Sequence, residues 1–273
     1  MSTRDYEVVD FRVRPMTKEF AQHWVASAGI RVRPLLGANE ETPLETLFAE
    51  MDSAGVTKAV VAGRYVYSAA TPEHIAGLVK SHPDRFIAGF AGIDALKRMD
   101  AVRETERVVK ELGLAGIVLE PFITELPAND KIFYPLYTKC AELNTRVIIV
   151  TGAAPFGIKK MVAGHPTAID DVAGDFPDLR LMMSHAGWPW MLDAIAVAKR
   201  HKNVYLEASL YHFWPGAEVM VKAADIIPDQ IVYASGYPIE PISTMTGFRR
   251  LGYSEEAFKK IVNDNPVAFL RET

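Results

Sequence analysis

The chain alternates between two hydrophobic patterns. Short runs rich in β-branched residues recur along the sequence, and most are apolar without interruption, which is typical of strands buried on both faces of a parallel sheet. Segments with apolar residues at helical spacing separate these runs. The pattern predicts strands at 7–14, 58–62, 86–90, 115–120, 146–151, 179–184, 203–208 and 230–235.

Start and stop signals delimit the predicted helices. Thr42-Pro43 and Thr71-Pro72 each place a capping residue before a proline at the first helical position, and Ser254 caps a last helix. The first of these helices is expected to end near Gly55. Further helical patterns lie at 98–112, 131–143 and 189–200.

Eight strand-like runs that alternate with helices predict an α/β fold, a single (β/α)₈ TIM barrel that forms one domain over residues 1–273. A doubly wound open sheet is the competing arrangement. The composition agrees with a globular chain, because 49% of the residues are hydrophobic and 23% are charged, which argues against disorder.

Charge and apolar runs restrict the partners. The net charge is −4 and there is no block rich in lysine and arginine, so we expect no nucleic-acid partner. The strongest apolar runs, such as 147–150, are far shorter than a membrane helix, and residues 1–10 lack the apolar segment of a signal peptide. We therefore expect a cytoplasmic protein without a membrane partner, and a homo-oligomer is compatible with the sequence. The single cysteine, Cys140, excludes an internal disulfide.

The strand ends carry the candidate chemistry, because the active site of a TIM barrel lies at the carboxyl ends of its strands. Asp10, Arg12 and Arg14 alternate along the first strand, so we predict that all three face the same side, towards the barrel axis. The other strand-end residues are Gly63, Arg64, Asp94, Glu120, Thr151, His185, Glu207, Ser209, Ser235, Gly236 and Tyr237.

Several segments match, in order, those of one superfamily of TIM barrels. They are EVVDFRVRP, RVIIVTG, LRLMMSHAG, NVYLEAS, IVYASGYP and the closing IVNDNPVAFL. With these segments the chain resembles the metal-dependent hydrolases, specifically the amidohydrolase 2 branch, which includes aminocarboxymuconate-semialdehyde decarboxylase and the pyrone-dicarboxylate lactonases. The resemblance extends over almost the whole chain and implies a TIM barrel.

The residues that hold the family's metal have changed. Family members with a divalent ion use two histidines on the first strand, one each on the fifth and sixth, and an aspartate on the eighth. The resemblance places Arg12, Arg14, Thr151, His185 and Gly236 at these positions. Arginine has no lone pair to donate and glycine has no side chain, so we predict no metal at this position and no cofactor.

The altered site has its own chemistry. Arg12 and Arg14 are predicted to bind an anionic substrate group or an oxyanion, and the alternative is that they neutralise nearby carboxylates in a buried network. His185 is predicted to act as a general acid or base, the alternative being a hydrogen-bonded core histidine. Glu120 is a candidate base. A displaced metal site made of Glu120, His185 and Glu207 is a further alternative.

Substrate binding is assigned to Asp10, Thr151, Glu207, Trp188 and Tyr237. The last two belong to a group of aromatic residues after strands 2, 6, 7 and 8, which would suit an unsaturated or aromatic acid, although they could also simply pack over the rim. The group comprises Tyr65, Tyr67, Trp188, Trp190, Tyr211, His212, Phe213, Trp214 and Tyr237.

These residues, together with the chemistries found in the branch that the chain resembles, leave three functions open. The first prediction is a metal-independent enzyme that hydrolyses a lactone, ester or amide of a small carboxylated compound. The second is a lyase, such as a decarboxylase, that acts on a small organic acid. The third is a barrel that has lost its chemistry and binds a ligand or partner.

Overall fold

The strands form one parallel barrel. The computed structural model describes residues 5–21, 41–66, 68–153 and 160–271. Within these ranges each strand pairs in parallel with the next along the chain. The eight strands are β1 (Val9–Val13), β2 (Lys58–Ala62), β3 (Phe86–Gly92), β4 (Gly116–Leu119), β5 (Arg146–Val150), β6 (Arg180–Ser184), β7 (Val204–Glu207) and β8 (Ile231–Val232).

Backbone hydrogen bonds between the last and first strands close the sheet. The Phe11 N–H donates to the Tyr233 carbonyl at 3.0 Å, and the Arg14 N–H donates to the Tyr237 carbonyl at 3.1 Å. The predicted TIM barrel is therefore confirmed, and an open sheet is excluded, because an open sheet would leave these edges unpaired.

Helices follow most of the strands and cover the barrel. They are α1 (Lys18–Ala21), α2 (Leu44–Ala54), α3 (Pro72–Ser81), α4 (Met99–Lys110), α5 (Pro121–Thr124), α6 (Tyr134–Glu142), α7 (Ala168–Asp175), α8 (Met191–Arg200), α9 (Val219–Ile226), α10 (Thr244–Phe248), α11 (Glu255–Lys259) and α12 (Asn265–Leu270). No helix within the described ranges is long and apolar enough to cross a membrane.

The predicted caps are largely confirmed. The Thr71 and Ser254 hydroxyls accept hydrogen bonds from the backbone N–H groups of His74 and Ala257. Gly55 ends α2 in the left-handed conformation at φ 69°. The start of α2 lies one residue later than predicted, because Pro43 rather than Thr42 occupies the N-cap position.

Two apolar layers pack against the strands, one inside the barrel and one between the barrel and its helices. Alternate strand residues fill the barrel interior, and the C-terminal helix closes it from below with Phe269, whose ring lies edge-on to Phe11 with 5.4 Å between centroids. Buried Arg146 holds this helix in place, because its guanidinium donates to the carbonyls of Phe269 and Leu270. A larger layer packs between the barrel and its helices. The upper end of the barrel is thus the end left for a site.

Candidate functional site

The first strand contains an irregularity that decides which of its side chains face the interior at the upper end of the barrel. Val9 and Phe11 pack in the barrel interior, whereas Val13 packs in the outer layer, and the register with β2 shifts between Asp10 and Val13. Arg12 and Arg14 therefore share the side opposite Val13. The prediction that Asp10 lies on the same face as the two arginines is wrong, because the bulge reverses the alternation between Asp10 and Arg12.

Two buried ion pairs span the upper end of the barrel. Arg12 Nη1 lies 3.2 Å from Glu207 Oε1, which joins β1 to the end of β7. Arg64, two residues after β2, places Nη2 2.6 Å from Oε1 of Glu120 at the end of β4. The alternative interpretation, that an arginine neutralises a carboxylate, is therefore confirmed for Arg12. Arg64 is a strand-end residue for which no role is predicted from the sequence.

Arg14 differs from these two arginines. Its side chain is 4% exposed, and its Nε and Nη2 atoms are buried without a hydrogen-bond partner among the described residues. Burial, followed by the positive charges of Arg12 and Arg64, lowers the pKa of Arg14 well below its ordinary value. A guanidinium starts from such a high pKa that it stays charged, so the site holds three cations against two carboxylates.

His185 follows β6 directly. Its Nδ1 lies 2.9 Å from the Ser209 carbonyl oxygen and 3.0 Å from the Ser209 hydroxyl. Burial, and then the Arg12 guanidinium, lowers the pKa of His185 well below 6.5, so the ring is neutral at physiological pH. Because a carbonyl oxygen can only accept, Nδ1 carries the proton and Nε2 keeps its lone pair. This nitrogen can accept a proton from a substrate.

Asp10 is buried beside β8. Its Oδ1 accepts hydrogen bonds from the backbone N–H groups of Ser235 (2.9 Å) and Arg12 (3.2 Å), and Oδ2 has no partner among the described residues. Burial raises the pKa of Asp10 to about 7 despite these donors. The Oδ1 contacts connect β1 to the segment that follows β8.

The Asp10 shift predicts a pH dependence of stability. The folded-state pKa is raised, so the folded protein keeps a proton that the unfolded chain loses above about pH 4. The contribution of the protonated Asp10 carboxyl to the free energy of unfolding is complete below about pH 4 and is lost as the pH rises through about 7. Compared with the wild type, Asp10→Asn should therefore gain stability between about pH 5 and about pH 8, as measured by urea unfolding at both values. Exposed Asp100→Asn is the control, and a difference independent of pH for Asp10→Asn would contradict the prediction.

Three further predicted substrate-binding residues, Thr151, Tyr237 and Trp188, lie in different surroundings. Thr151 uses its hydroxyl within the protein, because it donates to the Ser184 carbonyl at 2.7 Å and accepts from the Gly187 N–H at 3.1 Å. Tyr237 packs in the outer layer, and burial, followed by the charge of Glu50 on α2, raises its pKa to about 12. Trp188, in contrast, belongs to the aromatic wall described next.

Three aromatic rings lie beside His185. Trp188 stacks on Tyr211 with 4.9 Å between centroids and 6° between planes, and Trp214 meets both rings edge-on. Tyr211 in turn lies edge-on to His185 at 5.5 Å. We call Trp188, Tyr211 and Trp214 the aromatic wall. Tyr67, from the same predicted group, lies outside the described residues.

The residues at the family's metal position do not fit a divalent ion. Arg12 and Arg14 have no lone pairs, and the Thr151 hydroxyl is already bonded to the backbone. Gly236 adopts φ 84°, and a Cβ there would lie 2.7 Å from Leu210 Cδ2, so an acidic side chain has no ready place. Glu120 and Glu207, two of the three residues of the displaced site, are paired with Arg64 and Arg12, and no three acidic, histidine or cysteine side chains in the described ranges are grouped as metal ligands.

Comparison with known proteins identifies relatives. The family model described as Amidohydrolase (Amidohydro_2) matches residues 10–271. A 2-keto-4-carboxy-3-hexenedioate hydratase of Sphingobium sp. is 25% identical over 176 residues, which cover 52% of this chain and 51% of the relative. A 2-amino-3-carboxymuconate-6-semialdehyde decarboxylase of Dictyostelium discoideum is 30% identical over 77 residues, 28% of this chain and 21% of the relative.

The two matched regions thus span about half and about a fifth of these relatives. Among solved structures, an uncharacterized TIM-barrel protein of Bordetella bronchiseptica is 29% identical, with a TM-score of 0.84 and coverage of 97% of this chain and 98% of that one. The match therefore extends over almost the whole of both chains.

Proposed function

The chain belongs to the amidohydrolase family, and within this family we propose that it is a lyase that acts on a small organic acid. The observation that carries the proposal is the buried guanidinium of Arg14, which lacks a carboxylate partner among the described residues while its two neighbours are paired. A buried charge without a partner is costly, so it marks a place where a ligand supplies the opposite charge.

The charge balance defines the ligand. Three guanidiniums and two carboxylates leave one positive charge, which a substrate carboxylate or enolate neutralises. The planar guanidinium suits the two oxygens of a carboxylate, and a buried pair of this kind is stronger than one in water. The aromatic wall beside His185 favours a flat, conjugated acid.

The same residues can carry out a lyase reaction. In a decarboxylation, His185 Nε2 takes the proton of a substrate hydroxyl that is conjugated with the carbon bearing the carboxylate, and the guanidiniums stabilise the oxyanion. The His185 imidazolium gives this proton to that carbon, which turns the oxyanion into a carbonyl group. The bond between the carbon and the carboxylate then breaks, CO₂ leaves, and the electron pair returns to the carbonyl oxygen, which takes a proton from solvent. The guanidiniums contribute most where negative charge grows in the transition state.

One further observation supports a lyase over the hydrolysis that heads the sequence-based predictions. The two relatives matched by sequence are a hydratase and a decarboxylase. Arginines and a glycine replace the metal ligands and the eighth-strand aspartate of the family. We propose that guanidiniums supply, without a divalent ion at this position, the positive charge that the reaction needs.

The test follows solvent atoms into the product. Conjugated di- and tricarboxylic acids are incubated with the protein in D₂O and, separately, in ¹⁸O-labelled water, and products are read by mass spectrometry. Decarboxylation gives loss of CO₂ with one deuterium on carbon, and hydration gives one ¹⁸O in a new hydroxyl group; either supports a lyase.

Two other outcomes would contradict the proposal. Lactones and esters of the same acids are incubated in parallel, and an ¹⁸O in a newly formed carboxylate would indicate hydrolysis. Acids that raise the melting temperature without being converted would indicate a binding protein. Arg14→Met, prepared in parallel, serves as the control for contaminating activity.

A further inference from the structure

Glu207 lies between the Arg12 guanidinium and the loop after β7. Its Oε1 is 3.2 Å from Arg12 Nη1, and its Oε2 accepts the Ser209 backbone N–H at 2.8 Å. Glu207 and Ser209 are 1% and 0% exposed. Because each carboxylate oxygen already faces a donor fixed by the fold, Glu207 is suited to orient its neighbours rather than to bind substrate.

Ser209 connects this carboxylate to His185. Its N–H is held by Glu207, and its carbonyl oxygen accepts from His185 Nδ1 at 2.9 Å. The Ser209 N–H and carbonyl belong to successive peptide groups that meet at the Ser209 Cα, and the Leu210 N–H of the second group donates to the Ser235 carbonyl at 3.4 Å. Holding the N–H therefore restrains the Cα from which the carbonyl extends towards the imidazole. A free imidazole can carry its proton on either nitrogen, and the partner of one nitrogen decides which.

The backbone around these contacts is strained. His185 and Ala186 have φ values of 67° and 43°, and Leu210, next to Ser209, has a φ of 70°. Residues other than glycine rarely adopt this left-handed conformation, and it persists only where surrounding contacts hold it. The Glu207–Ser209 hydrogen bond lies next to Leu210, and the Ser209–His185 hydrogen bond involves His185 itself, so both are contacts of this kind.

We infer that Glu207 is a positioning residue that sets the tautomer of His185. By holding the Ser209 N–H, it keeps the Ser209 carbonyl against Nδ1, so that Nε2 remains the free proton acceptor. The same carboxylate holds Arg12, and the anion-binding side of the site is thereby coupled to its base. The use of Nε2 in a reaction rests on the proposed function, whereas the tautomer belongs to the unliganded protein.

The experiment reads the tautomer directly and needs no substrate. Protein labelled with ¹⁵N in histidine is examined by long-range ¹H–¹⁵N NMR at about pH 7, where a neutral ring is expected. The His185 signals are assigned by their loss in His185→Asn. The wild type is expected to show a protonated Nδ1 and an unprotonated Nε2.

The variant Glu207→Gln should change this result. A glutamine has one carbonyl oxygen, so it can face either the Ser209 N–H or Arg12 but not both, and a mixture of His185 tautomers is expected. Glu120→Gln is the matched control. Glu120 is equally buried at a strand end and also pairs with an arginine, but no described hydrogen bond joins it to Ser209. The His185 tautomer in Glu120→Gln should therefore be that of the wild type.

Three outcomes would overturn the inference. These are a wild-type His185 that is charged or carries its proton on Nε2, an unchanged pattern in Glu207→Gln, and an equal change in Glu120→Gln. Ser209→Ala covers the case in which Glu207→Gln does not fold. It keeps the carbonyl and removes the hydroxyl, so a wild-type pattern is expected, and a changed pattern would assign the role to the hydroxyl instead. None of these results depends on whether the protein is a lyase.

Discussion

Replacing Arg14 with methionine is expected to weaken carboxylate binding while making the unliganded protein more stable. Loss of one partner from a buried, hydrogen-bonded charge pair costs about 2–5 kcal/mol, which corresponds to about 30-fold or more in Kd. The stability gain has a separate cause. In the unliganded protein Arg14 Nε and Nη2 are desolvated without a partner among the described residues, and an apolar side chain of similar length removes that cost.

Arg12→Met is the matched control for this prediction. Arg12 lies on β1 and Arg14 follows this strand directly, and both are 4% exposed, but Arg12 is paired with Glu207. Its removal leaves a buried carboxylate without its cation, which typically costs about 3–5 kcal/mol of stability. The same substitution two residues apart should therefore change the free energy of unfolding in opposite directions.

Urea unfolding and a thermal-shift titration with di- and tricarboxylates measure the two effects. A carboxylate should raise the melting temperature of the wild type and leave that of Arg14→Met unchanged. If Arg14→Met is destabilised as much as Arg12→Met and still responds to carboxylates, Arg14 is a structural residue and the anion site lies elsewhere.

The barrel could be predicted from the sequence because each buried strand is encoded locally. A parallel strand covered on both faces must be apolar along its length, and runs such as 146–150 show this directly. β8 is the exception, since 230–235 is predicted and only Ile231–Val232 is regular. The residues after Val232 form backbone hydrogen bonds with the irregular end of β1 instead of continuing a regular strand. This irregularity could not be predicted, because Val9, Phe11 and Val13 alternate in the sequence as they would in a regular strand.

The residue types of the site could be predicted, but their pairing could not. Strand ends identified Arg12, Arg14, Glu120, His185 and Glu207 because barrel topology brings these positions to one rim. Which arginine meets which carboxylate depends on contacts across the barrel, since Arg12 and Glu207 are 195 residues apart in the chain. The role of Arg64 has no sequence signal for the same reason, because its partner Glu120 follows β4, which is not a neighbour of β2 in the sheet.

His185→Asn is expected to reduce kcat by about 10²- to 10⁴-fold, the usual contribution of a positioned acid or base. Asparagine can still donate to the Ser209 carbonyl, so the loop should keep its position while the proton acceptor is lost. Carboxylate binding should survive because the three arginines remain. The thermal shift with substrate and the kcat of the same preparation therefore separate binding from chemistry.

His212→Asn is the control for the loss of a buried ring. His212 is also buried, with Nε2 2.7 Å from the Ala234 carbonyl, and its ring stacks on Tyr233 rather than on the aromatic wall. Its replacement should lower stability and leave kcat within about threefold, because it touches none of the reacting groups. Equal losses of kcat in both variants would assign the His185 effect to packing.

The pH profile of the wild type gives an independent check on the base. Burial and Arg12 lower the pKa of His185 well below 6.5, so the ring is unprotonated and active throughout the neutral range. Activity should be constant at neutral pH and fall only when acid protonates Nε2, well below the pH at which an exposed histidine titrates. A fall in activity centred at the ordinary histidine pKa would show a solvated ring that the guanidiniums do not influence, and His185 could not then be the neutral base that the lyase reaction requires.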